Sequence, residues 1–98
     1  MKLKEKVVIV TGGSGGIGKA VSAAFCRAGS TVVIIGRDEE SIEKAILDIQ
    51  GSVEKEAYGM MCDVSNFMAV SSAVKAIVKR FKKIDVLVNC AGVQAPIC

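Results

Sequence analysis

A cluster of glycines near the start of the chain is the stretch whose composition and spacing most directly suggest chemistry. It reads VTGGSGGIGKA over residues 10–20. From Gly13 onward it fits G-x-G-x-x-G, and all but the last position of the P-loop pattern G-x-x-x-x-G-K-[ST]. A third spacing is formed by Gly12, Gly16 and Gly18. Such glycines let backbone N–H groups at a helix start approach an anion closely, so the stretch predicts a phosphate site. A turn that merely joins strand to helix is the simpler alternative.

The P-loop interpretation would make the chain an ATP-binding enzyme, but two of its residues are missing. Ala20 stands where a magnesium-binding hydroxyl should follow Lys19. An acid is also needed at the end of a neighbouring buried strand, whereas DVLVN begins with Asp85 and ends with Asn89. This interpretation stays as the weaker alternative, and Lys19 is predicted to be an ordinary exposed helix residue.

Composition and charge argue against several other functions. The 98 residues are 51% hydrophobic, with a net charge of +3 and no histidine, which excludes His-based catalysis and His-containing metal sites. The four cysteines form no C-x-x-C pair, so we expect no metal site and reduced, mostly buried thiols. Few aromatic residues and no basic cluster argue against nucleic-acid binding. No apolar run suits a signal peptide or a membrane span, so we expect a cytoplasmic location and no membrane partner.

Short β-branched runs alternate with helical periodicities along the chain. Strands are predicted at residues 6–11, 31–35, 57–62 and 85–89. The alternation β-α-β-α-β-α-β predicts the α/β class: a doubly wound, Rossmann-like parallel sheet with about four strands and three helices. Ligands of such folds bind beyond the carboxyl ends of the strands, where the functional residues are therefore expected.

The three helices between these strands are predicted from apolar spacing. Their buried stripes are expected to be Ile17, Val21, Ala24, Phe25 and Ala28, then Ile42, Ala45, Ile46 and Ile49, then Val70, Val74, Ile77, Val78 and Phe81. Asp38 and Ser65 are predicted to begin the second and third helices, and Gly29 and Gly51 to end the first and second.

Three motifs at the predicted strand ends resemble those of the classical short-chain dehydrogenases/reductases. TGGSGGIG at residues 11–18 matches that family's T-G-x-x-x-G-[IL]-G, CDVS at 62–65 looks like its D-[VL]-[ST], and NCAG at 89–92 resembles its N-N-A-G. Cys90 departs from the last motif. Lys82 stands where many relatives have glycine, which should make that turn harder to form. The resemblance implies that residues 1–98 are the N-terminal part of one dinucleotide-binding domain, with an incomplete sheet whose fourth strand is a half-uncovered edge.

The resemblance also implies a role for each residue of the glycine motif. Gly12, Gly16 and Gly18 would shape the loop around a pyrophosphate, with contacts from Ser14 and Ile17.

The other two motifs would hold the adenosine end of the cofactor. Asp63 would accept a hydrogen bond from the adenine amino group, and Val64 would contribute through its backbone. Asn89, Ala91 and Gly92 would line the adenosine ribose. A solvated acid at a strand end is the alternative for Asp63.

The residues after the second strand favour NADP over NAD. An acid at this strand end binds the ribose hydroxyls of NAD, whereas a nearby arginine accommodates a 2′-phosphate. Gly36 and Arg37 follow the strand, and a guanidinium can bind phosphate in a bidentate manner. Asp38 could face the ribose, but capping the second helix is its better use. An exposed surface charge is the alternative for Arg37.

The resemblance implies hydride transfer between a nicotinamide and a carbonyl or alcohol carbon. Its catalytic Ser and Tyr-x-x-x-Lys would follow Cys98, because Tyr58 is the only tyrosine and Cys62 stands four positions on. We therefore expect no catalytic residue within residues 1–98. Binding of a small carbonyl or alcohol substrate, and any assembly into a homo-oligomer, are expected only in a longer form of the protein. The alternative is a non-catalytic nucleotide-binding or interaction module that ends at Cys98.

Overall fold

The computed structural model describes residues 4–12, 15–51, 57–63 and 65–90. Within them lie strands β1 (Val7–Thr11), β2 (Thr31–Gly36), β3 (Ala57–Met61) and β4 (Val86–Asn89), and helices α1 (Gly16–Arg27), α2 (Glu39–Gln50) and α3 (Phe67–Phe81). The predicted element order and fold class are confirmed. Each strand differs from its predicted range by one residue at one end.

The sheet is parallel and has the order β3-β2-β1-β4. The chain runs outward from β1 to β2 and β3, then returns to place β4 on the other side of β1. The register pairs Thr11 with Ile35 on one side and with Asn89 on the other. The strand order therefore reverses between β1 and β4, which is where open α/β sheets form their ligand crevice.

Helices cover both faces of this sheet, as the doubly wound fold requires. The first face packs against α1 and α2 through Val8, Val10, Val32 and Ile34. The second face packs against α3 through Val7, Ile9, Val33 and Ile35. Because β1 and β2 are covered on both faces, their sequences are continuous apolar runs with no polar alternation.

The buried stripe predicted for α1 is wrong. The residues that α1 buries are Gly18, Ser22 and Cys26, whereas Ile17 is 37% exposed. Small residues let the helix approach the sheet closely, and the Ser22 hydroxyl is satisfied because it donates to the Gly18 carbonyl oxygen at 2.8 Å. An apolar periodicity cannot detect an inward face built from glycine and serine.

The stripe predicted for α2 is confirmed by the burial of Ile42, Ala45 and Ile49, and the stripe predicted for α3 is partly wrong. Helix α3 buries Ala73 and Ile77, and Val74 and Val78 are 38% and 40% exposed. A single helix on this face leaves its outer apolar residues without a partner element in the described part of the chain.

The helix ends follow local capping chemistry with one correction. Asp38 caps α2 as predicted, but α3 is capped by Asn66, whose side chain accepts from the Ala69 N–H at 3.1 Å, and not by Ser65. Gly29 ends α1 at φ +92°. Lys82 adopts φ +74° after α3, the left-handed conformation that glycine tolerates best.

Among the strands in the described residues, β4 pairs with β1 alone and lies at an edge of the sheet, as the resemblance implied. Its residue Leu87 is 65% exposed, in agreement with the half-uncovered edge that was expected there. A cavity of about 400 Å³ lies between α3 and this edge, lined by residues that include Ile9, Ile35, Val70 and Leu87. The side chains of Cys26 and Cys62 are both buried.

Candidate functional site

The glycine turn lies at the carboxyl end of β1, directly before α1. Gly12 has φ +71°, and its N–H donates to the Ile35 carbonyl oxygen at 2.8 Å, which ties the turn to β2. Gly15 precedes the helix in an extended conformation, and no side chain among the described residues caps α1. The N–H groups at this helix start are thus available to an anion, and the helix dipole favours negative charge there.

The glycines of this motif differ in what the fold itself requires of them. Gly18 is buried against the sheet, so its small size serves the packing of α1. Gly16 is exposed, and a Cβ placed on it would meet nothing within 4 Å among the described residues. The packing of the described chain therefore gives no reason for glycine at position 16, and close approach of a ligand would give one.

The Lys19 side chain is directed to a neighbouring helix. Its Nζ donates to Asp48 Oδ2 of α2 at 2.9 Å, and both side chains are almost half exposed. The lysine is therefore not simply an exposed residue, since it links α1 to α2. This pairing removes the phosphate contact that a P-loop lysine would make.

Asn89 and Thr11 join the two strands on either side of the switch point. The Thr11 hydroxyl donates to Asn89 Oδ1 at 2.8 Å, and the Cys90 N–H donates to the Thr11 carbonyl oxygen at 2.9 Å. Asn89 was predicted as a site residue, whereas Thr11 was missed as its partner. Thr11 is the first residue of the TGGSGGIG motif, but the motif does not indicate which distant residue it contacts.

Arg37 and Asp63 follow the adjacent strands β2 and β3. The two strand ends are tied by the Cys62 N–H, which donates to the Gly36 carbonyl oxygen at 2.7 Å. The hydroxyl and the backbone N–H of Ser65 hold the pKa of Asp63 below its usual value, and the Arg37 charge contributes in the same direction. Arg37 is exposed and forms no ion pair with the described part of the chain.

Asp38, the competing acid at this strand end, is engaged within α2. Its Oδ1 accepts from the Glu40 N–H at 3.1 Å and its Oδ2 accepts from the Ser41 hydroxyl at 2.8 Å. The Ser41 hydroxyl bond is the main reason that the pKa of Asp38 lies below its usual value. The carboxylate therefore acts as the predicted helix cap.

The predicted site residues that the structure describes all lie at the carboxyl edge of the sheet or at the start of α1. They are Gly12, Gly16, Ile17, Gly18, Arg37, Asp63 and Asn89. Ser14, Val64, Ala91 and Gly92 lie outside the described residues. Tyr58 is a residue of β3, as predicted, and its ring packs against Phe81 with centroids 5.1 Å apart.

Residues 6–97 match the family model for short chain dehydrogenases. This chain belongs to the short-chain dehydrogenase family. A related protein is the 3beta-hydroxysteroid dehydrogenase of Mediterraneibacter gnavus, 38% identical over 92 residues, which are 94% of this chain and 33% of that protein.

Two solved structures of other proteins share the fold. The L-sorbose reductase of Gluconobacter frateurii, complexed with NADPH and L-sorbose, aligns with a TM-score of 0.86 and 27% identity over 97% of this chain and 37% of that one. An NAD+-bound xylitol dehydrogenase aligns with a TM-score of 0.82 and 33% identity over 89% of this chain and 33% of that one. The chain thus spans about a third of the length of these relatives. No helix in the described ranges is long and apolar enough to cross a membrane.

Proposed function

We propose that this chain binds NADP(H), as the N-terminal part, residues 1–98, of a single dinucleotide-binding domain. The observation that carries the proposal is the uncapped, glycine-rich start of α1 beside the point where the strand order reverses. The pyrophosphate would lie against the N–H groups at this start, close to Gly12 and Gly16, with Ser14, Ile17 and Gly18 completing the loop.

The adenosine end of the cofactor would lie across the ends of β2, β3 and β4. Asp63 is a candidate acceptor for the adenine amino group, aided by the Val64 backbone. Asn89 is held by Thr11 at the end of β4 and is a candidate for the ribose pocket, together with Ala91 and Gly92.

The preference for NADP rests on the contrast between Arg37 and Asp38. Both Asp38 oxygens already accept hydrogen bonds within α2, so this carboxylate is poorly placed to bind ribose hydroxyls. The exposed Arg37 guanidinium has no competing ion pair in the described chain and can bind a 2′-phosphate. The two solved relatives contain NADPH and NAD+, so family membership leaves both cofactors open.

In a longer form of the protein, this domain would serve an oxidoreductase that moves hydride between the nicotinamide and a small carbonyl or alcohol substrate. The nicotinamide supplies the hydride chemistry when it is bound. We assign no catalytic residue within residues 1–98; their part is to bind and orient the cofactor.

The pyrophosphate assignment is tested with two glycine variants in titrations of the chain with NADPH. Gly16→Ala adds a methyl group where the fold has room and the ligand would not, so we expect at least tenfold weaker binding. The melting temperature should be unchanged or slightly raised, because alanine is the better helix residue. Gly15→Ala is the matched control, because its methyl group would lie 3.7 Å from the Gly12 carbonyl oxygen. The T-G-x-x-x-G-[IL]-G motif of the family allows any residue at this position. Equal affinities of the two variants, or no NADPH binding by the natural chain, would count against the proposal.

The cofactor preference is tested by comparing NADPH with NADH. We expect Arg37→Ala to weaken NADPH binding roughly tenfold or more, because a charge-assisted contact is lost, and to leave NADH binding within about twofold. Arg27→Ala removes the same charge at the opposite end of α1 and should change neither affinity. An unchanged NADPH to NADH ratio in Arg37→Ala would refute the NADP assignment alone.

A further inference from the structure

The outer side of β4 is an open edge of the sheet. Among the described residues β4 pairs with β1 alone, so the backbone N–H and C=O groups that face away from β1 have no partner strand there. The strand carries neither a charged residue nor a proline, which are the residues that commonly block such an edge. The edge can therefore accept a strand from another chain.

The side chains of β4 alternate between the two faces of the sheet. Val86 and Val88 pack against the buried cluster of the first face, whereas Leu87 and Asn89 line the cavity beside α3 on the second face. Leu87 is 65% exposed although its neighbours in this lining include the apolar Val74. The described part of the chain thus leaves an apolar side chain uncovered at the centre of the open edge.

A second copy of the chain fits this edge in one antiparallel register best. A two-fold axis perpendicular to the joined sheet keeps each face on the same side in both copies. Residues that lie opposite each other must then share a face, so the axis must pass through a residue and not between two.

An axis at Leu87 gives each residue of the edge a suitable partner. The two Leu87 side chains lie opposite each other, and Val86 lies opposite Val88 of the second copy. Asp85, which precedes β4, lies opposite Asn89, so a carboxylate acceptor faces an amide donor. An axis at Val86 would place Asp85 opposite Leu87, and an axis at Val88 would place Leu87 opposite Asn89. Both of these pair an apolar side chain with a polar one.

We propose that two copies of this chain pair through β4, antiparallel and about a two-fold axis at Leu87, so that their sheets form one continuous sheet. In this dimer each Leu87 covers the other at the mouth of the two cavities. The sequence predicted a homo-oligomer only in a longer form of the protein, whereas the open edge provides an interface in this chain itself. The inference goes beyond the proposed function and does not depend on it.

The opposite edge of the sheet, β3, fits a second copy less well. Its central residue is Gly59, which has no side chain to pair across a two-fold axis. A parallel contact of β4 with β3 of another copy would join unlike edges and leave one edge of each kind open, which leads to filaments and not to a closed dimer. The two edges therefore predict different assemblies.

Sedimentation equilibrium of the 98-residue chain under reducing conditions tests the interface. Because a small interface gives weak association, we expect the average mass to rise toward twice that of one chain between about 10 µM and about 1 mM. Leu87→Lys places two ammonium groups opposite each other and should weaken the dimer at least tenfold. Leu47→Lys is the matched control, because it makes the same change at a leucine of α2 that is 69% exposed, and it should dimerise like the natural chain.

Hydrogen exchange compares the two edges within the same molecule. The N–H groups of β4 that face away from β1 should exchange at least tenfold more slowly at about 1 mM than at about 10 µM, because the second copy protects them. The N–H groups at the outer edge of β3 should exchange at the same rate at both concentrations. Protection at β3 would overturn the assignment of the interface to β4.

Three results of the mass measurement would also overturn the proposal. They are a chain that stays monomeric up to about 1 mM, assemblies larger than a dimer, and an equal loss of association in Leu47→Lys and Leu87→Lys. Circular dichroism establishes that each variant is folded. Leu87→Thr is a second variant that keeps a residue suited to strands while it removes most of the apolar contact, and it should weaken the dimer less than lysine does.

The dimer and the cofactor site fail separately. Gly16→Ala should leave the mass of the natural chain unchanged at every concentration, because α1 lies outside the interface. A dimer that binds no dinucleotide would overturn the proposed function alone, and a monomer that binds NADPH would overturn this inference alone.

Discussion

The two faces of the sheet are made from alternate residues of the same strands, yet they are packed differently. On the first face, α1 packs through small residues and α2 packs through Ile42 and Ile49, and together they cover three strands. Ile34 on this face is completely buried. On the second face, α3 covers Ile35, but a cavity of about 400 Å³ remains between the helix and the edge strand β4. Neighbouring isoleucines of β2 therefore have different surroundings, which shows that a strand pattern reports burial but not packing density.

The largest effect on the free energy of unfolding is expected when Ile34 and Ile35 are each replaced by alanine and the two losses are compared. Ile34→Ala should lower the free energy of unfolding by about 4 kcal/mol, because it opens a cavity in a closely packed region. Ile35→Ala removes the same atoms beside existing space and should cost only about 2 kcal/mol. Urea unfolding of both variants measures this difference, and equal losses would mean that the two faces are equally well packed.

A second test adds a methyl group to the first face. At Gly59 of β3, a Cβ would overlap Ile42 Cγ2 and lie 2.9 Å from Ile46 Cδ1. The Ile42 contact is at the branch of the side chain, which cannot move away easily, so Gly59→Ala should lower the free energy of unfolding by about 1–3 kcal/mol. Gly51→Ala is the control. Its Cβ would lie 3.5 Å from the Leu47 carbonyl oxygen, which is an ordinary contact distance, so the free energy of unfolding should hardly change. A neutral Gly59→Ala would show that α2 can shift away from β3.

The third test concerns the turn between α3 and β4, on the more open side. Lys82 adopts φ +74°, so Lys82→Gly should relieve strain and raise the free energy of unfolding by about 1 kcal/mol. Lys79 lies inside α3, where glycine is unfavourable, so Lys79→Gly should lower the free energy of unfolding by about 1 kcal/mol. Thermal melts of the pair should shift in opposite directions; a shift of the same sign would contradict a strained turn.

The smallest effect is expected from Asp85, which fastens the start of β4 to β1. Its Oδ2 accepts from the Val7 N–H at 2.8 Å and lies 3.1 Å from Lys83 Nζ. The Val7 bond is the main cause that lowers the pKa of Asp85 in the folded chain. This contribution is therefore full above about pH 5 and is lost as the pH falls through the folded pKa.

The contribution of Asp85 to stability is measured by comparing the natural chain with the variant Asp85→Asn, whose amide carries no charge. Asp85→Asn should have a lower melting temperature than the natural chain at pH 7, and the difference should shrink as the pH falls toward 3. Because the pKa values of Asp38 and Asp63 are also lowered, only the difference between the two curves isolates Asp85. A constant difference across this range would rule out the carboxylate as its cause.

The sequence predicted where the candidate site residues lie to the extent that they follow strand ends. Arg37, Asp63 and Asn89 were expected at the carboxyl edge of the sheet because each directly follows or ends a predicted apolar strand, and the structure places them there. Thr11 was missed because its contact with Asn89 joins residues 78 positions apart. The cap of α3 was wrongly predicted because Ser65 and Asn66 are neighbours and both residue types cap helices well. In the structure the Ser65 hydroxyl donates to Asp63, and the Asn66 side chain accepts from the Ala69 N–H.

The order of the elements, the fold class and the caps at Asp38 and Gly29 could be predicted from the amino-acid sequence, since these depend on patterns within a few residues. The side of α1 that faces the sheet, the position of β4 and the contact of Lys19 with Asp48 could be seen only in the folded chain. Those features depend on which distant surfaces meet, and small residues such as Gly18 and Ser22 can form a buried face that hydrophobic spacing does not mark.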